Sequence, residues 1–195
     1  MLNFFVRMWR MQWIRWGIYS ILLLIVMGGI IYAKGWYPLA RVNGSYIWAY
    51  DYRISLQITN NFYNSMEAET HALLPQEDEL KKVVFDGLVD DVVISQELRS
   101  QMSDEELTQK IKLQTDAMIA TPESKDKMLA LTKMSESDAR RYFLDRIARE
   151  QILANLFTLQ QKEIFSWFMQ QRKNARVALW CMSGIWDGEK GYRAQ

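Results

Sequence analysis

Histidine and cysteine are nearly absent: the 195 residues hold one of each, His71 and Cys181. A lone histidine excludes His-x-His, HExxH and Ser-His-Asp arrangements, and His71 reads as a solvated helix-end residue. A lone cysteine excludes an internal disulfide and any CxxC redox or metal motif, and leaves Cys181 without an assigned role. There is no GxGxxG and no phosphate-loop lysine motif, so the chain has no nucleotide cradle of either kind. Neighbouring acids such as Asp90 and Asp91, or Glu105 and Glu106, diverge by about 100° around a helix and read as solvated faces rather than acid–base pairs. No catalytic residue, cofactor site or metal site is expected, and the chain reads as a non-enzyme.

Acidic residues are missing from the first 37 positions, which hold Arg7, Arg10, Arg15 and Lys34. The remainder has 20 basic and 23 acidic residues, a net charge of −3, and offers no basic surface for nucleic acid. Charge of either sign is missing from Trp16 to Ala33, WGIYSILLLIVMGGIIYA, a run of 18 residues. As a helix this run is about 27 Å long, enough to cross a bilayer. Trp9, Trp13 and Trp16 before it, and Tyr32, Trp36 and Tyr37 after it, fall where amphipathic rings meet the two headgroup regions. Three arginines precede the run, which favours a cytoplasmic N-terminus and an extracytoplasmic remainder. The rival is a cleaved signal peptide, but the run exceeds a usual h-region and no Ala-x-Ala site ends it. Residues 1–15 are therefore expected as a short cytoplasmic segment and residues 16–37 as a single-pass anchor in the lipid bilayer.

Beyond Pro38 the pattern is helical nearly throughout. The exception is Ala40-Arg41-Val42, then Asn43-Gly44, then Tyr46-Ile47-Trp48, a small hairpin with Asn-Gly at its turn. A helix is predicted from about Ala49 to Thr70, with Tyr50, Ile54, Ile58, Phe62 and Met66 in one stripe. Pro75 is placed at the start of the next, whose acidic first turn suits the helix dipole and whose Leu80, Val84, Leu88 and Val92 line one face, widened by Val83, Ile94 and Leu98. Ser103 and Glu106 form a capping-box pattern ahead of a helix bearing Leu107, Ile111 and Met118. Thr121-Pro122 opens a shorter helix through Leu131. Ser135 and Asp138 precede what reads as the longest helix, Glu136 to Arg172, with apolar residues on more than one face. Ala175 to Trp180 reads as a strand, and residues 184–195 as a loose tail.

The ordered set of V-N-G hairpin, helix, "LKKVVFDGLVDDVVISQEL", "MSDEELTQKI" and "ARRYFLDRIAREQIL" resembles the N-terminal chaperone region of SurA-, PpiD- and PrsA-type periplasmic foldases. A later helix of that family, Tyr/Phe-x-x-x-(Ile/Leu)-x-x-Glu-x-(Ile/Leu), is matched by Phe143, Ile147, Glu150 and Ile152. The resemblance spans about Arg41 to Leu179. It implies a mainly α fold: a transmembrane helix, then a multi-helix SurA N-terminal-like domain over 38–183, in which the strand at Val42 pairs with one at Val177–Leu179 and joins the two ends. The parvulin isomerase domain that usually follows is not expected here, with some 15 residues after Trp180.

The functional expectation is a membrane-anchored extracytoplasmic holdase of the bacterial inner membrane, taking unfolded or nascent secreted polypeptides as clients. Ile54, Ile58, Phe62, Phe157, Ile164 and Phe168 are the candidate peptide-binding residues, although each reads more readily as ordinary core. A membrane-tethered scaffold holding one defined protein partner is the alternative, and a prolyl isomerase ranks below both for want of a site. Homo- or hetero-oligomers are compatible with either of the first two readings.

Overall fold

The structure is a computed structural model that describes residues 2–65, 76–182 and 184–194. The chain divides into two compact units, Met1–Tyr37 and Pro38–Gln195.

The first unit is one helix, α1 (Leu2–Lys34), closed by Gly35 at φ 74° and followed by Trp36 and Tyr37. The rings of Tyr32 and Tyr37 stack at 5.3 Å. Ile21, Leu22, Leu23, Leu24, Ile25 and Val26 are each more than half exposed. Six successive residues at 100° apiece go fully round a helix, so apolar surface is exposed on every side. Among the described residues no helix is long and apolar enough to cross a membrane. In α1 the described side chains are Trp16 and those from Tyr19 onward, a stretch that ends on Lys34.

The second unit opens with the expected hairpin, β1 (Pro38–Val42) and β2 (Ser45–Trp48). Asn43 and Gly44 both have positive φ, 49° and 98°, the geometry of a type I′ turn. Val42 pairs with Ser45, Arg41 with Tyr46 and Ala40 with Ile47. The far end of the chain supplies β3 (Val177–Leu179), antiparallel to β1 with Val42 opposite Val177, so the sheet order is β2-β1-β3. Asn43 fastens this closure, because its Oδ1 accepts the Arg176 N–H at 2.8 Å and its own N–H donates to the Arg176 carbonyl at 3.0 Å.

Between the strands run α2 (Ala49–Asn64), α3 (Glu77–Gln101), α4 (Asp104–Met118), α5 (Pro122–Thr132), α6 (Glu136–Ala139), α7 (Asp145–Leu159) and α8 (Ile164–Asn174). Helix α3 is the spine. Its Phe85 and Val89 pack under the sheet with Ala40, Val42 and Ile47, while Ile94 and Leu98 pack with Leu107 of α4 and with Leu153 and Phe157 of α7. A third cluster joins Met128, Ala139 and Leu144. The caps are as expected: Ser103 accepts from the Glu106 N–H, Thr121 from Ser124 and Ser135 from Asp138.

Several expectations are corrected. Helix α2 is described to Asn64, and its expected continuation through Met66 and Thr70, with His71 and Pro75, lies outside the described residues. Helix α3 begins at Glu77 with Gln76 as its cap, the Gln76 N–H donating to Glu79 Oε2 at 3.2 Å. Val83, expected to widen the buried face, is exposed, and Phe85, Val89 and Val93 are buried instead.

The Glu136–Arg172 helix is not continuous. A π turn, Arg140–Leu144, interrupts it, the Asp145 N–H reaching back five residues to the Arg140 carbonyl. It then stops after Leu159, where Gln161 takes φ 54° and the N–H groups of Gln161 and Lys162 donate to the carbonyls of Thr158 and Phe157. That is a Schellman stop, which satisfies the last carbonyls with Gln where glycine is usual.

The segment expected as a loose tail is a second hairpin, β4 (Gly184–Asp187) and β5 (Gly191–Ala194). The Asp187 carboxylate accepts the N–H groups of Glu189 and Lys190 and holds the turn. Gly191, at φ 77°, passes so close to the Asp86 carboxylate that a side chain there would collide with it. This approach lets the Tyr192 N–H donate to Asp86 Oδ1 at 2.8 Å and buries Tyr192 against Phe85, their centroids 5.2 Å apart.

Candidate functional site

Helix α2 on one side, and the π turn with α7 on the other, form the walls of two adjoining clefts that share Ser55, Tyr142 and Arg146. The first, of about 330 Å³, is lined by Tyr46, Ile47, Leu88 and Val92 and by six charged side chains, Asp51, Asp91 and Asp145 with Arg141, Arg146 and Arg149. The second, of about 370 Å³, is lined by Ile58, Phe62, Tyr63, Phe143 and Ile147, with Arg146 and Glu150 paired at 3.3 Å. The two together form one groove with a charged end and an apolar end. Each cleft is within the range of volumes that hold organic ligands.

The sequence builds this groove locally. Ser55, Ile58, Thr59 and Phe62 recur at three- and four-residue steps on α2, so they share a face. Opposite them the π turn adds a residue to the helical repeat, which offsets the buried face of α6 from that of α7. Tyr142, in that turn, touches Tyr50 edge-on at 5.9 Å.

Electrostatically the charged end is balanced, Asp51, Asp91 and Asp145 against Arg141, Arg146 and Arg149. Arg149 grips Asp91 through two hydrogen bonds, Nε to Oδ1 at 2.9 Å and Nη2 to Oδ2 at 3.0 Å. Burial raises the Asp51 carboxyl, with Asp91 adding to the rise and Arg141 opposing it. Burial also raises Asp145, against the pull of Arg149, Arg140 and Arg141. The Tyr142 phenol is pushed up to about 12, mainly by burial. It stays protonated near neutrality, with its hydroxyl hydrogen-bonded to Tyr50. Among the described residues no group of three or more His, Cys, Asp or Glu side chains could hold a metal ion.

A family model for the SurA-like N-terminal domain matches residues 1–153. The chain belongs to that family. The match includes both walls of the groove, from α2 through Leu153 of α7. No curated protein and no solved structure matched the chain. SurA-like N-terminal domains are the non-catalytic chaperone part of their family, so a chaperone-like role belongs to the family as a whole.

On this SurA-like fold the six candidate residues separate. Ile58 and Phe62 line the apolar end of the groove, Ile58 buried and Phe62 40% exposed. Ile54 is buried on the same helix. Phe157, 1% exposed, is core and cannot line a cradle, because its ring is enclosed by Leu153, Leu98 and an edge-on Trp167 at 4.9 Å. Ile164 and Phe168 are on α8, Ile164 exposed and Phe168 half-buried against the Phe157 cluster. Neither lines the groove. Sequence reasoning did not assign Tyr63, Tyr142, Phe143, Arg146 or Ile147 to a site. The available signal was Phe143 and Ile147 at i, i+4, already visible in the family motif.

Proposed function

We propose that this protein is a membrane-anchored, extracytoplasmic holdase that binds apolar segments of unfolded or translocating polypeptides in the groove between α2 and α7. The carrying observation is the groove's division into an apolar end around Phe62 and Tyr63 and a charged end around Asp51 and Asp145. An extended client would bury one or two large side chains at the first, worth roughly 25 cal/mol per Å² of apolar area, and orient its backbone at the second. Such a gain is modest and permits release. The 18-residue uncharged run Trp16–Ala33 supports the anchor, as does apolar exposure all round α1. The arginines before the run support an N-terminus in the cytoplasm of a bacterial cell and the helical domain outside it.

The test is suppression of aggregation of a chemically unfolded test protein by the full chain reconstituted in lipid nanodiscs. Suppression is expected at a few-fold molar excess. Phe62→Ser with Tyr63→Ser should weaken it while helical circular dichroism stays unchanged, since both side chains are at the surface of the groove. Phe157→Ser should instead lose helical signal. No effect of the intact chain on aggregation, with one stoichiometric protein co-purifying from detergent-solubilised membranes, would replace the holdase with a dedicated scaffold. Acceleration of prolyl isomerisation would overturn the non-catalytic reading.

A further inference from the structure

The outer face of the three-stranded sheet carries Tyr46, Trp48, Trp180 and Arg41. Arg41 pairs across the strands with Tyr46 on one side and Ala178 on the other, so all three side chains leave the sheet on the same face, and Trp48 follows two residues on in β2 and Trp180 just past the end of β3. The opposite face, with Ala40, Val42 and Ile47, is the buried one. Tyr46 and Trp180 come from segments on either side of β1, yet their rings meet at 5.5 Å, and Trp48 lies 5.9 Å from Tyr46. The Arg41 guanidinium rests 5.6 Å from the Tyr46 ring centroid. Despite these contacts the three rings remain 41–50% exposed. A cluster of two tryptophans, a tyrosine and an arginine left in water exposes apolar area that a soluble surface ordinarily avoids.

Chain length limits what can cover this face. Helix α1 ends at Lys34 and β1 starts at Pro38, leaving Gly35, Trp36 and Tyr37 between them. Four residue steps reach at most about 14 Å even when fully extended. The headgroup layer on each side of a bilayer is roughly 5–8 Å thick. If α1 spans the membrane, the first strand of the sheet is therefore confined to the immediate neighbourhood of the headgroups. Indole and phenol rings are the side chains that partition there, and a neighbouring guanidinium pairs with anionic lipid phosphates.

We propose that the Tyr46–Trp48–Trp180 face, with Arg41, docks on the headgroup surface of the bilayer that holds α1, fixing the helical domain against the membrane. The inference rests on the anchor reading above. It gives the Trp48–Trp180 face a lipid partner, with Tyr46, which also borders the charged cleft, where the face meets the groove.

Cys181, the only cysteine and exposed, adjoins Trp180 and can be labelled without mutation. The full chain, carrying an environment-sensitive fluorophore on Cys181, is reconstituted in phosphatidylethanolamine–phosphatidylglycerol vesicles with and without lipids bearing a quencher near the headgroup. Quenching at Cys181 should exceed by about twofold or more that at a control label placed by Lys127→Cys in a Cys181→Ser background, Lys127 being exposed on α5. Trp48→Ser with Trp180→Ser should abolish the difference. Arg41→Glu, which leaves the rings in place, should reduce it in vesicles containing phosphatidylglycerol and leave it unchanged in those without. Flotation with the vesicles, measured on the same samples, separates the two readings. A protein that floats but shows equal quenching at both labels overturns the docking and keeps the anchor. A protein that does not float overturns the anchor and the docking together. Quenching replaced by Cys181–Cys181 crosslinking would assign the face to a second copy of the chain and also overturn the proposal.

Discussion

Replacing Arg172 with methionine keeps much of the side-chain volume and removes the positive charge from between Asp86 and Asp90. In the native protein Arg172 Nε lies 3.1 Å from Asp90 Oδ1 and Nη2 lies 3.4 Å from Asp86 Oδ2, with all three side chains only 17–18% exposed. The guanidinium also sits between the rings of Phe168 and Trp186, 5.9 and 5.5 Å from their centroids. Through these contacts it joins α8 and the β4–β5 hairpin to α3. Without it, two largely buried carboxyls one helical turn apart would face each other near Glu150, with Arg146 and Lys82 as the remaining cations acting on them. Breaking a buried ion pair by removing one partner costs about 3–5 kcal/mol. At about 2–4 °C per kcal/mol for a domain of this size, the thermal midpoint should fall by roughly 6–20 °C.

The loss should also depend on pH in a defined direction. Burial raises Asp90 to about 6 and also raises Asp86. A carboxyl whose folded pKa exceeds its unfolded value binds extra proton in the folded state, so the stability it contributes is present at low pH and lost as pH rises through the folded pKa. For Asp90 the window runs from 3.8 to about 6. Removing the cation pushes both carboxyls higher still, so the deficit of Arg172→Met should be largest at about pH 8 and shrink towards about pH 5. Thermal melts of the full chain in detergent, followed by tryptophan fluorescence and circular dichroism, measure both effects. A midpoint within about 2 °C of wild type, or a deficit as large at low pH as at high pH, would refute the reasoning.

Other expectations follow from single features. Gln161→Gly relieves a left-handed residue at the stop of α7 and should stabilise the domain by about 1 kcal/mol, read as a higher melting midpoint. Tyr192→Ala empties the site beside Phe85 and should cost about 3–5 kcal/mol in denaturant titration, a loss that a loose C-terminal tail would not show. Ser103→Ala removes the acceptor for the Glu106 N–H and should cost about 1 kcal/mol, with hydrogen exchange rising in the first turn of α4.

The residues that could be read in advance were those whose local chemistry has one strong outcome. Asn43-Gly44 supplies two positions tolerant of positive φ, and Ser103, Thr121 and Ser135 offer side-chain oxygens to amides that nothing else in their helices can satisfy. The pairing of β1 with β3 was implied by family resemblance; hydrophobic pattern alone would not have found it. The break after Leu159 was hidden because its left-handed position is Gln161, and the usual signal is glycine. The π turn was hidden because it leaves composition untouched and shifts only the phase of the apolar stripe, which made α6 to α8 look like one helix with too many apolar faces. The same misreading made Phe157, which is core, a candidate for a binding surface. The terminal hairpin is held by tertiary partners, Asp86 and Phe85, that lie about a hundred positions away in sequence, and no local pattern reports them.

The bond between Asn43 and Arg176 joins residues 133 positions apart. A chain emerging from a ribosome therefore presents β1 and β2 well before β3, which cannot complete the sheet until residue 177 and beyond have been made. Contacts of such large sequence separation make folding slow, because loop closure precedes any gain from pairing. During that delay the outer edge of β1 is an open template for other strands. The protein is thus, in its own biogenesis, a protracted example of the kind of incompletely folded chain that a holdase protects.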